Sequence, residues 1–141
     1  EAERFPSTAA PESDALTALG RLHRGKTGAL IEAAVIGGAL CGPKVKRTLL
    51  ETLAPLAAQL GLAFQIVDDL LDATSDATTL GKTPGKDARQ GKQTFVTLLG
   101  ERAARERLRT LQRQIDAAIA ALGRDAAPLA TVARQVIERN R

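Results

Sequence analysis

Apolar residues recur every three or four positions along most of this chain. From Lys44 to Ala73 the stripe runs Val45, Leu49, Leu53, Leu56, Leu60, Phe64, Val67 and Leu71, which predicts one long helix. Pro55 and Gly61 fall inside it and predict a bend. Leu108, Leu111, Ile115, Ile119 and Leu122 repeat the spacing up to a stop at Gly123, and Leu129, Val132, Ala133, Val136 and Ile137 repeat it again. Upstream, Leu16, Leu19 and Leu22 mark a helix capped by Ser13 or Asp14, ending near Arg24 and interrupted at Gly25. The next, Thr27 to Leu40, is apolar on nearly all sides, which predicts a place in the middle of a bundle. Its Gly37 and Gly38 cost helix stability, and the usual return is close approach to a neighbouring helix. Gly42-Pro43 separates it from the long helix, and a short helix is predicted over Thr94 to Leu99.

Two stretches lack the period. Residues 1–13, with Pro6, Pro11, Ser7, Thr8 and Ser13, read as a loop; residues 74–92, with Gly81, Pro84, Gly85 and Gly91, read as a Lys/Gly-rich loop. The expectation is a single all-α helical bundle over residues 14–141. Composition agrees: 44% of the 141 residues are apolar, yet Phe5, Phe64 and Phe95 are the only aromatics, so the core is built from aliphatic side chains on helices. One cysteine, Cys41, excludes an internal disulfide framework and reads as a small buried hydrophobe in a cytoplasmic protein. No apolar run follows Glu1-Ala2-Glu3-Arg4, so no secretory leader is expected, and Ala33–Gly42 is too short to span a membrane.

The charge is uneven. Residues 1–80 hold seven Lys/Arg against ten Asp/Glu, and residues 81–141 hold thirteen against six. A basic half raises the question of nucleic acid. Arg102, Arg105, Arg107, Arg109 and Arg113, however, alternate with Glu101, Glu106 and aliphatic residues, the pattern of a solvated helix face. With only three phenylalanines, none of them among these arginines, there is no aromatic set to stack on bases, and a nucleic-acid partner is not expected.

The distinctive chemistry is at Gln65-Ile66-Val67-Asp68-Asp69-Leu70-Leu71-Asp72. On a helix Asp68 and Asp72 share a face, Asp69 lies three before Asp72, and Gln65 three before Asp68. Carboxylates so spaced repel, and apolar neighbours mark the helix as largely buried, so a cation between them resolves the conflict. An all-oxygen donor set favours Mg2+, which shares its shell with substrate phosphates. Taken alone, a D-D-x-x-D pattern reads more readily as solvated acids at a helix end; its place mid-bundle between basic segments turns the reading.

Basic residues flank it on both sides. Gly81-Lys82-Thr83, Gly85-Lys86-Asp87 and Gly91-Lys92-Gln93 follow, and His23-Arg24-Gly25-Lys26-Thr27-Gly28 precedes. Glycine admits a phosphate close to the backbone and lysine answers its charge. Singly, each lysine is an ordinary surface residue, and His23 reads as structural.

Together these segments resemble the trans-isoprenyl diphosphate synthases, the farnesyl and geranylgeranyl diphosphate synthase-like enzymes. Phe64–Asp72 resembles their second aspartate-rich motif, residues 80–94 their lysine loop, and His23–Gly28 their Lys-Thr motif, in the family's order. The resemblance implies the isoprenoid synthase bundle and a Mg2+-dependent prenyltransferase that condenses isopentenyl diphosphate with an allylic diphosphate to a C15/C20-type product. It implies Asp68, Asp69 and Asp72 as metal residues, and Lys26, Lys82 and Lys92 on the diphosphate. Thr27 and Gln65 would place oxygens near the developing allylic cation; Lys86 takes no definite role. It also implies a homodimer in the full-length family member and no membrane span.

The family's first aspartate-rich motif, with its neighbouring arginine pair, is missing: Asp68-Asp69 is the only Asp-Asp pair. The chain therefore resembles the C-terminal half of a family member, one wall of a two-walled site, with an apolar face left uncovered. The alternative is a non-catalytic or regulatory partner subunit of another synthase.

Overall fold

The computed structural model describes residues 11–78 and 93–139. Among them the chain is helical throughout, with turns and no strand. Helix α1 (Pro11–His23), a π-helical turn (Arg24–Gly28) and α2 (Ala29–Leu40) follow without a break as one rod. The turn at 41–46 reverses the chain, and α3 (Arg47–Thr78) returns along α2. Short α4 (Phe95–Leu99), long α5 (Glu101–Ala121), a 3-10 turn (Arg124–Ala126) and α6 (Ala127–Glu138) then pack on and around α3.

Local chemistry explains the boundaries. Proline suits a first helical turn, and α1 begins at Pro11, inside the stretch that reads as a loop. Thr94 caps α4: its hydroxyl accepts the Thr97 N–H at 3.0 Å, and the Thr97 hydroxyl accepts the Thr94 N–H at 2.8 Å. Gly123, at φ 86°, takes the left-handed conformation that ends α5. Helix α3 starts later and ends later than its apolar stripe predicts, and it passes through Pro55 and Gly61 as one helix. Pro55 is exposed, so water can satisfy the carbonyl its ring leaves unbonded.

The core forms where α3 meets α4, α5 and α6, with Leu56, Ile66 and Ile115 fully buried. Its α3 side uses Leu53, Leu60, Val67 and Leu70 together with the small Ala57 and Ala63, whereas Leu49 is exposed. The basic residues of α5 face outward, with Arg105 on Glu101 at 2.7 Å and Arg109 on Glu106 at 2.6 Å. The Arg109 guanidinium holds the Glu106 carboxyl below the usual range. By length and composition Arg47–Thr74 could cross a bilayer, but half of that apolar window is buried against other helices, as in a core helix.

Three expectations change. Helix α2 contains no buried residue and lies at the edge of the bundle. A Cβ added at Gly37 or Gly38 would meet nothing within 4 Å, so no helix approaches there among the described residues. Cys41 is exposed, because it follows α2 at this open edge.

Candidate functional site

Gly25 does not interrupt the first helix. The chain instead absorbs one extra residue as a π turn, with the Ala29 N–H bonded back to the Arg24 carbonyl. Such bulges are uncommon and concentrate at functional positions. The turn carries Lys26 exposed, Thr27 half-buried and Gly28 buried. Gly28 lies against Gly61 of α3 so closely that a Cβ on Gly61 would stand 2.9 Å from the Gly28 Cα. This backbone contact fixes the π turn to α3. Asp68 lies seven residues beyond Gly61, about 10 Å along the axis and nearly in phase around it. His23 closes the other side of the turn, its ring stacked on Phe95 with centroids 5.8 Å apart. A cleft of about 240 Å³ opens between α1, the π turn and α3, lined by Gly20, His23, Gly28 and Gly61 among others.

The three aspartates have different surroundings. Asp68 is half-exposed, and its Oδ1 accepts Arg139 Nη2 at 2.9 Å. That guanidinium also lies 4.0 Å over the Phe64 ring and donates to the Phe64 carbonyl at 3.4 Å. Asp72, one turn on, is exposed. Asp69 is only 4% exposed. Its Oδ2 accepts the Phe95 N–H at 2.8 Å and its Oδ1 accepts Gln65 Nε2 at 3.2 Å.

The structure therefore brings Gln65, Asp68, Asp69 and Asp72 onto one segment of α3 and sets the Lys26-Thr27 turn beside the same helix. It does not gather the three carboxylates around one point: among the described residues no three His, Cys, Asp or Glu side chains are placed to hold a metal ion. Lys82, Lys86 and Lys92 lie outside the described residues. Two contacts are absent from any sequence pattern. Arg139 is 71 residues from Asp68 and Phe95 is 26 from Asp69, so no local spacing links them. The burial of Asp69 does have a sequence signal, since Ile66 and Leu70 place it on the apolar side of α3.

Comparison with known proteins fits these features. The family model described as Polyprenyl synthetase matches residues 7–127. The farnesyl diphosphate synthase of Escherichia coli strain K12 is 44% identical over 129 residues, covering 89% of this chain and 43% of that protein. A dimethylallyltranstransferase of Fischerella ambigua is 40% identical over 124 residues, 88% of this chain and 36% of that protein. A chloroplastic geranylgeranyl pyrophosphate synthase of Arabidopsis thaliana is 41% identical over 133 residues, 92% of this chain and 36% of that protein. The chain thus spans under half the length of the curated relatives it matches.

Proposed function

The chain belongs to the polyprenyl synthetase family, and from that premise we propose that it supplies one carboxylate wall of a prenyltransferase site. The reaction is the condensation of isopentenyl diphosphate with an allylic diphosphate. The observation that carries the reading is the placement of two accessible carboxylates, Asp68 and Asp72, one turn apart on α3 beside the Lys26-Thr27 turn.

The residues present fit a hard divalent cation. Asp68 and Asp72 offer oxygen donors one turn apart, with open space for the waters that Mg2+ retains. In the protein alone Arg139 supplies the positive charge beside Asp68, a contact that a bound cation would have to share or displace. Mg2+ bound there would neutralise the diphosphate as it leaves the allylic carbon.

The remaining roles belong to this chain's side chains. Lys26 and, from the loop, Lys82 and Lys92 bind diphosphate oxygens and share the charge that develops on departure. Thr27 and Gln65 turn oxygens toward the electron-poor allylic carbon. The buried carboxylate of Asp69 can only accept hydrogen bonds, so Gln65 faces it with its NH2 and turns Oε1 elsewhere. A site walled on one side should turn over little by itself. The matched relatives are more than twice as long, which agrees with a second wall formed by residues outside this alignment.

Titration with Mn2+ in the presence of inorganic diphosphate, followed by electron paramagnetic resonance, tests the metal assignment. The chain should bind Mn2+, and Asp68→Asn should weaken binding about tenfold or more, because a neutral amide cannot replace an anionic ligand. Equal affinity in the variant would remove Asp68 from the metal site.

A further inference from the structure

Asp68 and Asp69 are neighbours in sequence and opposites in environment. Asp68 is half-exposed; Asp69 is buried with both oxygens engaged by protein donors. A magnesium ion keeps several waters, and a carboxylate at 4% exposure has no room for a hydrated ion. A buried charge with no partner is costly, so its two hydrogen bonds are the reason Asp69 is tolerated there.

The donors identify its task. The Phe95 N–H is the first of α4, immediately after the Thr94 cap. The stretch 79–92, which carries Lys82 and Lys92, lies outside the described residues; in sequence it ends three residues before Phe95, at the start of α4. Asp69 bonds Phe95 directly, and Phe95 in turn stacks on His23 at the edge of the π turn. One side chain of α3 thus joins the start of α4 to the helix that carries Asp68 and, through Phe95, to the Lys-Thr turn.

We propose that Asp69 is a positioning residue that holds the start of α4 in register with Asp68 and Asp72 on α3, and that it is not a metal ligand. The functional part rests on the prenyltransferase reading; the tether itself does not. Asparagine separates the two roles. Its Oδ1 can still accept the Phe95 N–H, and its Nδ2 can face a Gln65 amide that has turned over. Asparagine cannot replace an anionic ligand. Alanine removes the tether altogether.

The experiment compares Asp69→Asn, Asp69→Ala and Asp68→Asn in the 141-residue chain, reading Mn2+ affinity with inorganic diphosphate and hydrogen exchange at the Phe95 amide. Asp69→Asn should keep affinity within about twofold and keep Phe95 protected. Asp69→Ala should lose that protection and weaken the diphosphate complex about tenfold, the scale of one lost charge-assisted hydrogen bond. Should Asp69→Ala fail to fold, the native-like Asp69→Asn and Gln65→Ala carry the test, the latter removing one donor and leaving the Phe95 bond. An Asp69→Asn variant as impaired as Asp68→Asn would make Asp69 a ligand and overturn the proposal. Unchanged Phe95 exchange in Asp69→Ala would overturn the tether. If wild type binds no Mn2+, the metal reading fails, and the Phe95 measurement still decides the tether.

Discussion

Helices α2 and α3 lie side by side, and both are rich in leucine, isoleucine, valine and alanine. Their burial differs: Ile31, Val35, Ile36 and Ala39 of α2 are only partly covered. α3 touches every other helix, and Leu53, Leu56, Leu60, Ile66, Val67 and Leu70 are enclosed. α2 packs mainly on α3 and has no buried residue; Leu30 is 74% exposed and Leu40 58%. Apolar composition states what a helix needs covered, and only the neighbours decide whether it is covered. α2 therefore presents an open apolar side, while the α3 side is closed by its neighbours.

The largest expected effect comes from truncating matched leucines on the two helices. Leu56→Ala should cost about 2–5 kcal/mol, because it leaves a cavity in a closed core. Leu30→Ala should change stability by less than about 0.5 kcal/mol, since the side chain is already in water. Urea denaturation followed by circular dichroism measures both. Equal losses would mean that α2 is covered in solution and the contrast is wrong.

Glycines sharpen the same contrast at smaller scale. Gly61→Ala forces a methyl group into the Gly28 backbone and should destabilise by about 1 kcal/mol or more, after the gain in helix propensity. Gly37→Ala meets open space and should stabilise by up to about 1 kcal/mol. Thermal melts of the two variants should move in opposite directions. A stabilising Gly61→Ala would deny the close seat of the π turn on α3.

Much of this was legible in the sequence, and the failures have physical causes. Spacings of three and four mark α3, α5 and α6 because an amphipathic stripe is a local record of burial. The Lys-Thr, aspartate-rich and lysine-loop motifs mark the family because each is contiguous. Gly25 hid the π turn: a glycine reads as a break, whereas here the helix widens and continues. The place of α2 could not be read, since an all-round apolar helix looks the same whether its partners are present or not. The Arg139–Asp68 ion pair and the Asp69–Phe95 bond are tertiary events between distant residues, and spacing is blind to them. Burial next to Ile66 and Leu70 was the one local sign that Asp69 differs from Asp68.

The central claim is that Asp68 belongs to one wall of a prenyltransferase site that the longer relatives complete. The direct measurement transplants the matched residues of this chain into the corresponding stretch of the Escherichia coli farnesyl diphosphate synthase. Product formation from isopentenyl diphosphate and an allylic diphosphate is then followed in the presence of Mg2+. The account predicts an active chimera, and a loss of about a hundredfold or more in rate for the same chimera carrying Asp68→Ala. A chimera whose turnover is unchanged by Asp68→Ala would contradict it.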